Sequence, residues 1–150
     1  MLSKIVLLIA SSAFLLLSGF YFFTDSSYQD SFEARFYYLI GNYKKAYDFA
    51  KKSYEKDPYN KMAFTVLMQS KIATQYVNFI KTSNEYLSRI DNISSKKIYS
   101  SADKVRIKLM CEISLGNYKK LSPTKLTNIE LIKDAKKLND KFEQLYKELF

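Results

Sequence analysis

Residues able to carry out catalytic or metal chemistry are few in this chain. It contains no histidine, one cysteine, three glycines and fifteen acidic residues among 150. Without histidine there is no His-based triad and no Cys/His zinc site, and Gly19, Gly41 and Gly116 form neither a P-loop nor a dinucleotide-binding fingerprint. The acids lie mostly in lysine-rich surroundings, where no pair is singled out for acid–base catalysis. We therefore expect no enzyme activity, no catalytic residue, no metal and no cofactor.

The single cysteine, Cys111, lies within a helical pattern of apolar residues. One thiol cannot form a disulfide within the chain. We expect Cys111 to be buried as a small hydrophobic residue, and a reactive or intermolecular thiol is the alternative.

The formal net charge is +9. A charge of this size suits nucleic acid, anionic lipid or acidic wall polymer where lysines and arginines cluster. Here the lysines are dispersed and often lie four residues from an acid, as Lys51 does from Glu55, which is typical of a solvated helical surface. A basic binding surface is the alternative. Its residues would be Lys44, Lys45, Lys51, Lys52, Lys119 and Lys120.

The composition favours an all-α protein. Apolar residues make up 47% of the chain and aromatic residues 16%, whereas glycine and proline number three and two. The chain is too hydrophobic for disorder and has too few turn formers for a many-stranded β fold.

Residues 5–23 form an unbroken run without charge. As a helix the run is about 28 Å long, close to the hydrocarbon thickness of a bilayer. A cleaved signal peptide is the alternative, but its apolar region is normally shorter and ends at a clear small-x-small site. We expect an uncleaved transmembrane anchor over residues 1–23. Its anchoring side chains are expected to include Ile5, Leu8, Phe14, Leu16, Phe20 and Phe23.

Charges on either side of this run predict its orientation. Lys4 precedes it, whereas Asp25, Asp30 and Glu33 follow it with only Arg35 opposing them. The positive-inside rule then places the N-terminus in the cytoplasm. We expect a single-pass protein of a bacterial inner membrane whose C-terminal domain is periplasmic.

One short sequence word occurs twice. IGNYKKA at residues 40–46 returns as LGNYKKL at residues 115–121, so that Gly116 follows Gly41 by 75 residues. This spacing equals two repeats of about 34 residues plus a short insertion. Around the first copy, the apolar pattern predicts a helix, a tight turn at Gly41-Asn42, a second helix, and a stop at Asp57-Pro58.

Small and aromatic residues recur at characteristic places in this hairpin. The order Gly41, Tyr43, Ala46, Ala50, Ser53 and Pro58 resembles the tetratricopeptide repeat, a helical hairpin with small residues where its helices cross and a proline at its close. The resemblance implies a scaffold or peptide-binding module. By the same resemblance, the residues facing a partner are Arg35, Tyr38, Thr65, Gln69, Arg106 and Met110.

The expected architecture is a linker over residues 24–31 and a helical repeat domain over residues 32–150. It contains about three helical hairpins and a C-terminal capping helix, preceded by the transmembrane helix. The second hairpin is predicted over residues 63–73 and 76–90, and a polar loop over residues 91–101 follows it. The third leading helix is predicted to end at Gly116, and Ser122-Pro123 truncates its return helix.

Two leading helices carry apolar residues at helical spacing. In the first hairpin these are Phe32, Phe36, Leu39 and Ile40, and in the third they are Ala102, Val105, Leu109 and Ile113.

The last helix is predicted to start at a capping box formed by Thr127 and Glu130 and to run to Phe150. It carries a continuous apolar seam: Leu131, Ala135, Leu138, Phe142, Leu145 and Leu149. We expect the seam to cover the last hairpin. The alternative is an interface with another protein or a second copy, through Leu138, Phe142, Leu145 and Leu149.

Two functions are consistent with these features. The first is a membrane-anchored periplasmic adaptor or scaffold that binds a partner protein in a cell-envelope assembly, of which the flagellar motor with its stator is one example. The second is a basic module that binds anionic lipid or cell-wall polymer. We do not expect nucleic acid as a partner of a periplasmic domain.

Overall fold

The protein is helical throughout the part described. The computed structural model describes the backbone of residues 2–95 and 100–150, and the side chains of residues 6–17, 19, 25–95 and 100–150. Within these ranges there are six helices and no strand, which confirms the all-α prediction. The helices are α1 (Leu2–Thr24), α2 (Ser26–Leu39), α3 (Tyr43–Lys56), α4 (Lys61–Ser94), α5 (Ser101–Tyr118) and α6 (Ile129–Leu149).

The chain divides into two compact units. Unit 1 is Met1–Ser70 and unit 2 is Lys71–Phe150, so the boundary falls within α4. The sequence predicted one repeat domain over residues 32–150. Within the described residues, each unit has a core of its own.

Unit 1 contains the predicted first hairpin. Gly41 has a φ of +79°, which a residue without Cβ adopts readily, and Asn42 then caps α3 by accepting a hydrogen bond from the Lys45 amide at 3.2 Å. Helix α3 ends at Lys56, and its C-cap Asp57 is extended before Pro58. The predicted first helix, the turn, the second helix and its end before Pro58 are therefore confirmed.

The linker predicted over residues 24–31 is shorter than expected. Asp25 is extended and caps α2, because its carboxylate accepts a hydrogen bond from the Ser27 amide at 2.7 Å. Helix α2 then begins at Ser26. A single residue therefore separates α1 from α2.

The predicted second hairpin is wrong, because α4 continues through the place of its turn. The segment from Lys61 to Ser94 contains no glycine or proline, and a buried residue recurs every three or four positions along its whole length. Because the buried positions continue at helical spacing and no residue breaks the helix, α4 extends through the predicted turn. The predicted loop over residues 91–101 is shorter for the same reason, and residues 96–99 of it lie outside the described part.

Helix α5 has a capping box at its start and ends later than predicted. Ser100 and Asp103 form a capping box at its start, where each side chain bonds the other's backbone amide. At the other end α5 runs through Gly116 to Tyr118, so the predicted stop at Gly116 is wrong. Tyr118 packs against Phe79, with ring centres 5.7 Å apart.

The final helix is confirmed, but its cap lies one residue later than predicted. Asn128 accepts a hydrogen bond from the Glu130 amide at 2.9 Å, whereas the Thr127 hydroxyl accepts from the Thr124 amide. In the seam, Ala135 and Phe142 are fully buried, and Leu149 is 44% exposed. The remaining seam leucines, Leu131, Leu138 and Leu145, pack against the two cores of unit 2. Unit 2 itself therefore covers most of the seam, which leaves Leu149 for the interface alternative.

Candidate functional site

Helix α5 exposes the apolar stripe that its sequence pattern singled out. Val105 is 57% exposed, Leu109 50% and Ile113 45%. The side of α5 that packs inside unit 2 instead carries Ile107, Cys111 and the small polar Ser114. The helix therefore has two apolar sides, of which one is left to solvent.

Small side chains explain why α5 buries the side that carries Cys111 and Ser114. The hydroxyls of Ser83 on α4 and Ser114 on α5 bond each other at 2.9 Å, so these two helices approach closely. Cys111 is fully buried beside them, and burial, followed by the charge of Glu112, raises the pKa of its thiol. Cys111 is a free buried thiol, which agrees with the prediction of a small hydrophobic residue.

A groove of about 420 Å³ lies between the end of α4 and the start of α5. Its lining residues are Arg89, Asn92, Ile93, Arg106, Leu109 and Met110. Two of them, Arg106 and Met110, are residues that the sequence proposed for partner binding. The structure brings these two together beside the exposed stripe, in a groove with an apolar floor and two guanidinium groups.

The two arginines of this groove, one on each helix, have different surroundings. Arg106 lies 3.5 Å from the carboxylate of Asp103, which also belongs to the capping box. Arg89 is exposed on α4. Because arginine presents a planar fork of donors, both side chains suit a carboxylate partner.

The other flank of α5 is occupied by α6. The ammonium of Lys108 lies 6.0 Å from the ring centre of Tyr146 and 5.7 Å from that of Phe150. The Tyr146 hydroxyl donates to Glu112 at 3.2 Å. The free side of α5 is therefore the side that carries Leu109.

The remaining predicted partner residues lie in unit 1. Arg35 is exposed on α2, and Tyr38, Thr65 and Gln69 are half-buried. The Tyr38 ring packs edge-on against Tyr43 at 5.3 Å, and burial, then Tyr43, raises the pKa of its hydroxyl. The Thr65 hydroxyl donates to the Lys61 carbonyl at 2.7 Å. Tyr38 and Thr65 thus serve local packing more than a free surface.

The helices of unit 1 that carry the predicted partner residues also expose apolar side chains. Phe32, Phe36, Leu39 and Ile40 on α2 and its C-cap are between 55% and 71% exposed, and Phe64 and Met68 on α4 are 49% and 44% exposed. The partner residues predicted on these helices, Arg35, Tyr38, Thr65 and Gln69, are each next in sequence to one of these exposed side chains. Periodicity alone could not show which side of α2 and of α4 would be left exposed.

A buried polar cluster in unit 1 was missed entirely. The Asn60 side chain caps α4 by accepting from the amides of residues 62 and 63, both at 3.1 Å. Its amide group donates to the hydroxyls of Ser27, Ser31 and Ser53, at 3.1 to 3.4 Å. One side chain thereby joins α2, α3 and α4. The available signal was an asparagine directly before an apolar helical run.

Asp30 forms the rim of this cluster. Its carboxylate pairs with Lys52 at 3.0 Å and with Lys56. Burial raises the pKa of Asp30, but the hydrogen bonds and charges of Lys56 and Lys52 together outweigh burial and hold the pKa below its ordinary value of 3.8. Asp30 therefore stays ionised and ties α2 to α3.

The predicted basic surface is partly neutralised. Lys51 lies 3.7 Å from Glu55, and Lys52 is paired with Asp30. The remaining lysines of that set, Lys44, Lys45, Lys119 and Lys120, are exposed.

The predicted anchor falls on α1. No helix is both long and apolar enough to cross a membrane within the residues described. Of the predicted anchoring side chains, Leu8, Phe14 and Leu16 are between 69% and 75% exposed. The side chains of Ile5, Phe20 and Phe23 lie outside the described residues.

Among the described residues, no group of three His, Cys, Asp or Glu side chains could hold a metal ion. No family model, curated protein or solved structure matches this chain. The resemblance to the tetratricopeptide repeat stays a prediction, and the exposed surfaces of the two units are the basis for assigning a function.

Proposed function

We propose that the protein is a membrane-anchored adaptor of the bacterial cell envelope, whose unit 2 binds an acidic amphipathic segment of a partner protein. The observation that carries this proposal is the groove on unit 2, where two arginines flank an apolar floor next to the exposed stripe of α5.

The anchor is supported by the exposed side chains of α1. Large apolar side chains at residues 6–9 and 14–17 are each between 60% and 75% exposed. Four consecutive residues of a helix point in all directions around its axis, so the exposure is not confined to one side. A helix with apolar side chains all round requires an apolar environment, which a bilayer provides. The charges around residues 5–23 favour a periplasmic location for the remainder.

The groove has the chemistry expected for an amphipathic helix. Ile93, Leu109 and Met110 supply apolar contacts, and the flexible thioether of Met110 adapts to differing side chains. Arg89 and Arg106 can form bidentate hydrogen bonds with glutamates or aspartates on the partner's polar side. Val105 and Ile113 extend the apolar contact along α5.

Anionic polymer or lipid as the main ligand of a basic surface is less well supported. Lys51 and Lys52, which would belong to that surface, are in ion pairs. Binding through charge alone should also collapse as salt increases, whereas binding that includes an apolar floor should lose only part of its affinity.

The test uses the full-length protein in nanodiscs of zwitterionic lipid. The ligand is a fluorescent amphipathic peptide with leucines at helical spacing and glutamates elsewhere, compared with the same peptide carrying lysines. We expect anisotropy to show binding of the glutamate peptide and far weaker binding of the lysine peptide. Leu109→Ala should weaken binding about tenfold, and Lys104→Ala, an exposed change on the same helix, should leave it unchanged.

Three results would contradict the proposal. They are equal binding of both peptides, an affinity indifferent to Leu109→Ala, and binding that vanishes at moderate salt. The last result would favour the polyanion function instead.

A further inference from the structure

Helix α2 in unit 1 leaves its apolar side uncovered. Phe32 is 55% exposed, Phe36 58%, Leu39 71% and the C-cap residue Ile40 59%. Their spacing of four, three and one places them together on one side of the helix. The opposite side carries Ser27, Ser31 and Ala34, which are buried in unit 1. We call the exposed set the α2 apolar face.

The start of α2 lies very close to the proposed anchor. Asp25 alone separates α1 from α2, and its extended backbone interrupts the helix there. Because consecutive Cα atoms are about 3.8 Å apart, the first residues of α2 must lie within a few ångströms of the end of α1. Any bilayer that holds α1 therefore has its surface next to α2.

The side chains of this face suit the boundary between lipid headgroups and acyl chains. Two are phenylalanines and two are aliphatic, so their transfer out of water is favourable. Exposed cations lie near them in the chain, with Arg35 on α2 and Lys44 and Lys45 just beyond the turn at Gly41. On α2 itself the exposed charges are Glu33 and Arg35, so it is the apolar side chains that favour the interface, with the lysines of α3 as added attraction for anionic headgroups.

We propose that α2 is an interfacial helix, with Phe32, Phe36, Leu39 and Ile40 inserted into the bilayer that holds α1. This second membrane contact rests on the anchor part of the proposed function. It fixes unit 1 at the membrane surface through its own residues, and it leaves the groove of unit 2 to the partner.

The chain contains no tryptophan, so a single substitution creates a unique fluorescent reporter. Phe36→Trp reports on the α2 apolar face, Phe14→Trp reports on the anchor, and Asp48→Trp is the control on the exposed side of α3. Each full-length variant is reconstituted into vesicles of phosphatidylethanolamine and phosphatidylglycerol, with acyl chains brominated near the headgroup, brominated near the chain end, or unbrominated. Circular dichroism verifies that each variant keeps its helix content.

We expect headgroup-proximal bromine to quench Phe36→Trp strongly, chain-end bromine to quench Phe14→Trp strongly, and Asp48→Trp to be quenched weakly by both. Leu39→Trp should behave like Phe36→Trp. Quenching of Phe14→Trp with Phe36→Trp no more quenched than the control would overturn the interfacial helix and leave the anchor intact. A blue-shifted but unquenched Phe36→Trp would assign the face to a protein contact. If Phe14→Trp is unquenched, the anchor itself fails and the interfacial helix fails with it.

Discussion

The residues Gly-Asn-Tyr-Lys-Lys occur once in each unit and fold differently in the two places. In unit 1, Gly41 is left-handed, Asn42 caps a helix, and Tyr43 is the first residue of α3. In unit 2, Gly116, Asn117 and Tyr118 are the last three residues of α5. Identical residues thus start a helix in one unit and end one in the other.

The segment after each copy explains the difference. After Tyr43 come Ala46, Ala50 and Ser53, whose small side chains let α3 pack closely against α2. After Tyr118, Leu121 packs into the core and Pro123 prevents a return helix from forming. A glycine–asparagine pair permits a turn, but the turn forms only where the next segment has a side to bury.

The two units also differ in the contacts that join their helices. In unit 1 a buried asparagine and three serines link α2, α3 and α4 by hydrogen bonds. In unit 2 the centre of the core is apolar, because Phe142 of α6 is fully buried among Leu87, Ile90, Ile107 and Cys111. Substitutions in the two units test these differences, and the largest effect is expected in the apolar core of unit 2.

Phe142→Ala should lower the free energy of unfolding by about 3 to 5 kcal/mol, because it leaves a cavity in the core of unit 2. Thermal unfolding of the full-length protein in nanodiscs, followed by circular dichroism, measures this change. Leu149→Ala is the matched control on the same seam and should shift stability by less than about 0.5 kcal/mol. Equal effects would show that α6 does not cover unit 2 as described.

Asn60→Ala should cost about 2 to 3 kcal/mol, because it removes a helix cap and also leaves the buried serine hydroxyls without their shared donor. The matched control is Asn128→Ala, which removes the exposed cap of α6 and should cost about 1 kcal/mol. The same unfolding measurement compares them. If the two costs are equal, the serine cluster contributes nothing beyond capping.

Gly41→Ala and Gly116→Ala should change stability in opposite directions. A Cβ at either position meets no atom within 4 Å, so backbone conformation decides the outcome. At Gly41 the left-handed φ of +79° makes alanine cost about 1 to 2 kcal/mol. At Gly116, inside a helix, alanine should stabilise by about 0.5 to 1 kcal/mol. Two changes of the same sign would show that the two copies share one conformation.

Asp30→Asn should have the smallest effect and change mainly the response to pH. The pKa of Asp30 is held below 3.8 in the folded protein, so the carboxylate contributes stability above pH 3.8 that is lost as pH falls through the folded pKa. We expect a loss of at most about 1 kcal/mol at pH 7 for the variant, because the lysine partners are partly exposed. Unfolding measured from about pH 7 down to about pH 3 should show a shallower decline for Asp30→Asn than for the wild type. An exposed control, Asp48→Asn, should retain the wild-type slope.

The helical class, the first hairpin and the final helix could be predicted from the sequence because each has a local cause. The turn at Gly41, the end of α3 before Pro58 and the capped start of α6 each depend only on residues within a few positions. Helix α4 was divided incorrectly because no local signal tells how far a buried seam continues. Gly116 was assigned the role of Gly41 because local sequence cannot show which surface will pack against the next segment.

The candidate surfaces were predicted in part for a similar reason. The apolar stripes of α2 and α5 are plain from spacing, but spacing cannot say which side of a helix is buried. The buried sides are those with small side chains. The hydroxyls of Ser27 and Ser53 bond each other between α2 and α3, and those of Ser83 and Ser114 bond each other between α4 and α5. Arg106 and Met110 were proposed from the sequence, whereas Arg89 and Ile93 line the same groove only because the fold brings α4 beside α5.

The central claim is that the free side of α5 binds a protein, and site-specific photocrosslinking in the native membrane tests it most directly. A photoreactive residue replaces Leu109 in one full-length variant and Lys104, on the same helix, in another. The account predicts that one envelope protein is captured from position 109 and not from position 104, and that Arg89→Glu abolishes the capture. Equal capture from both positions, or no capture from position 109, would contradict it.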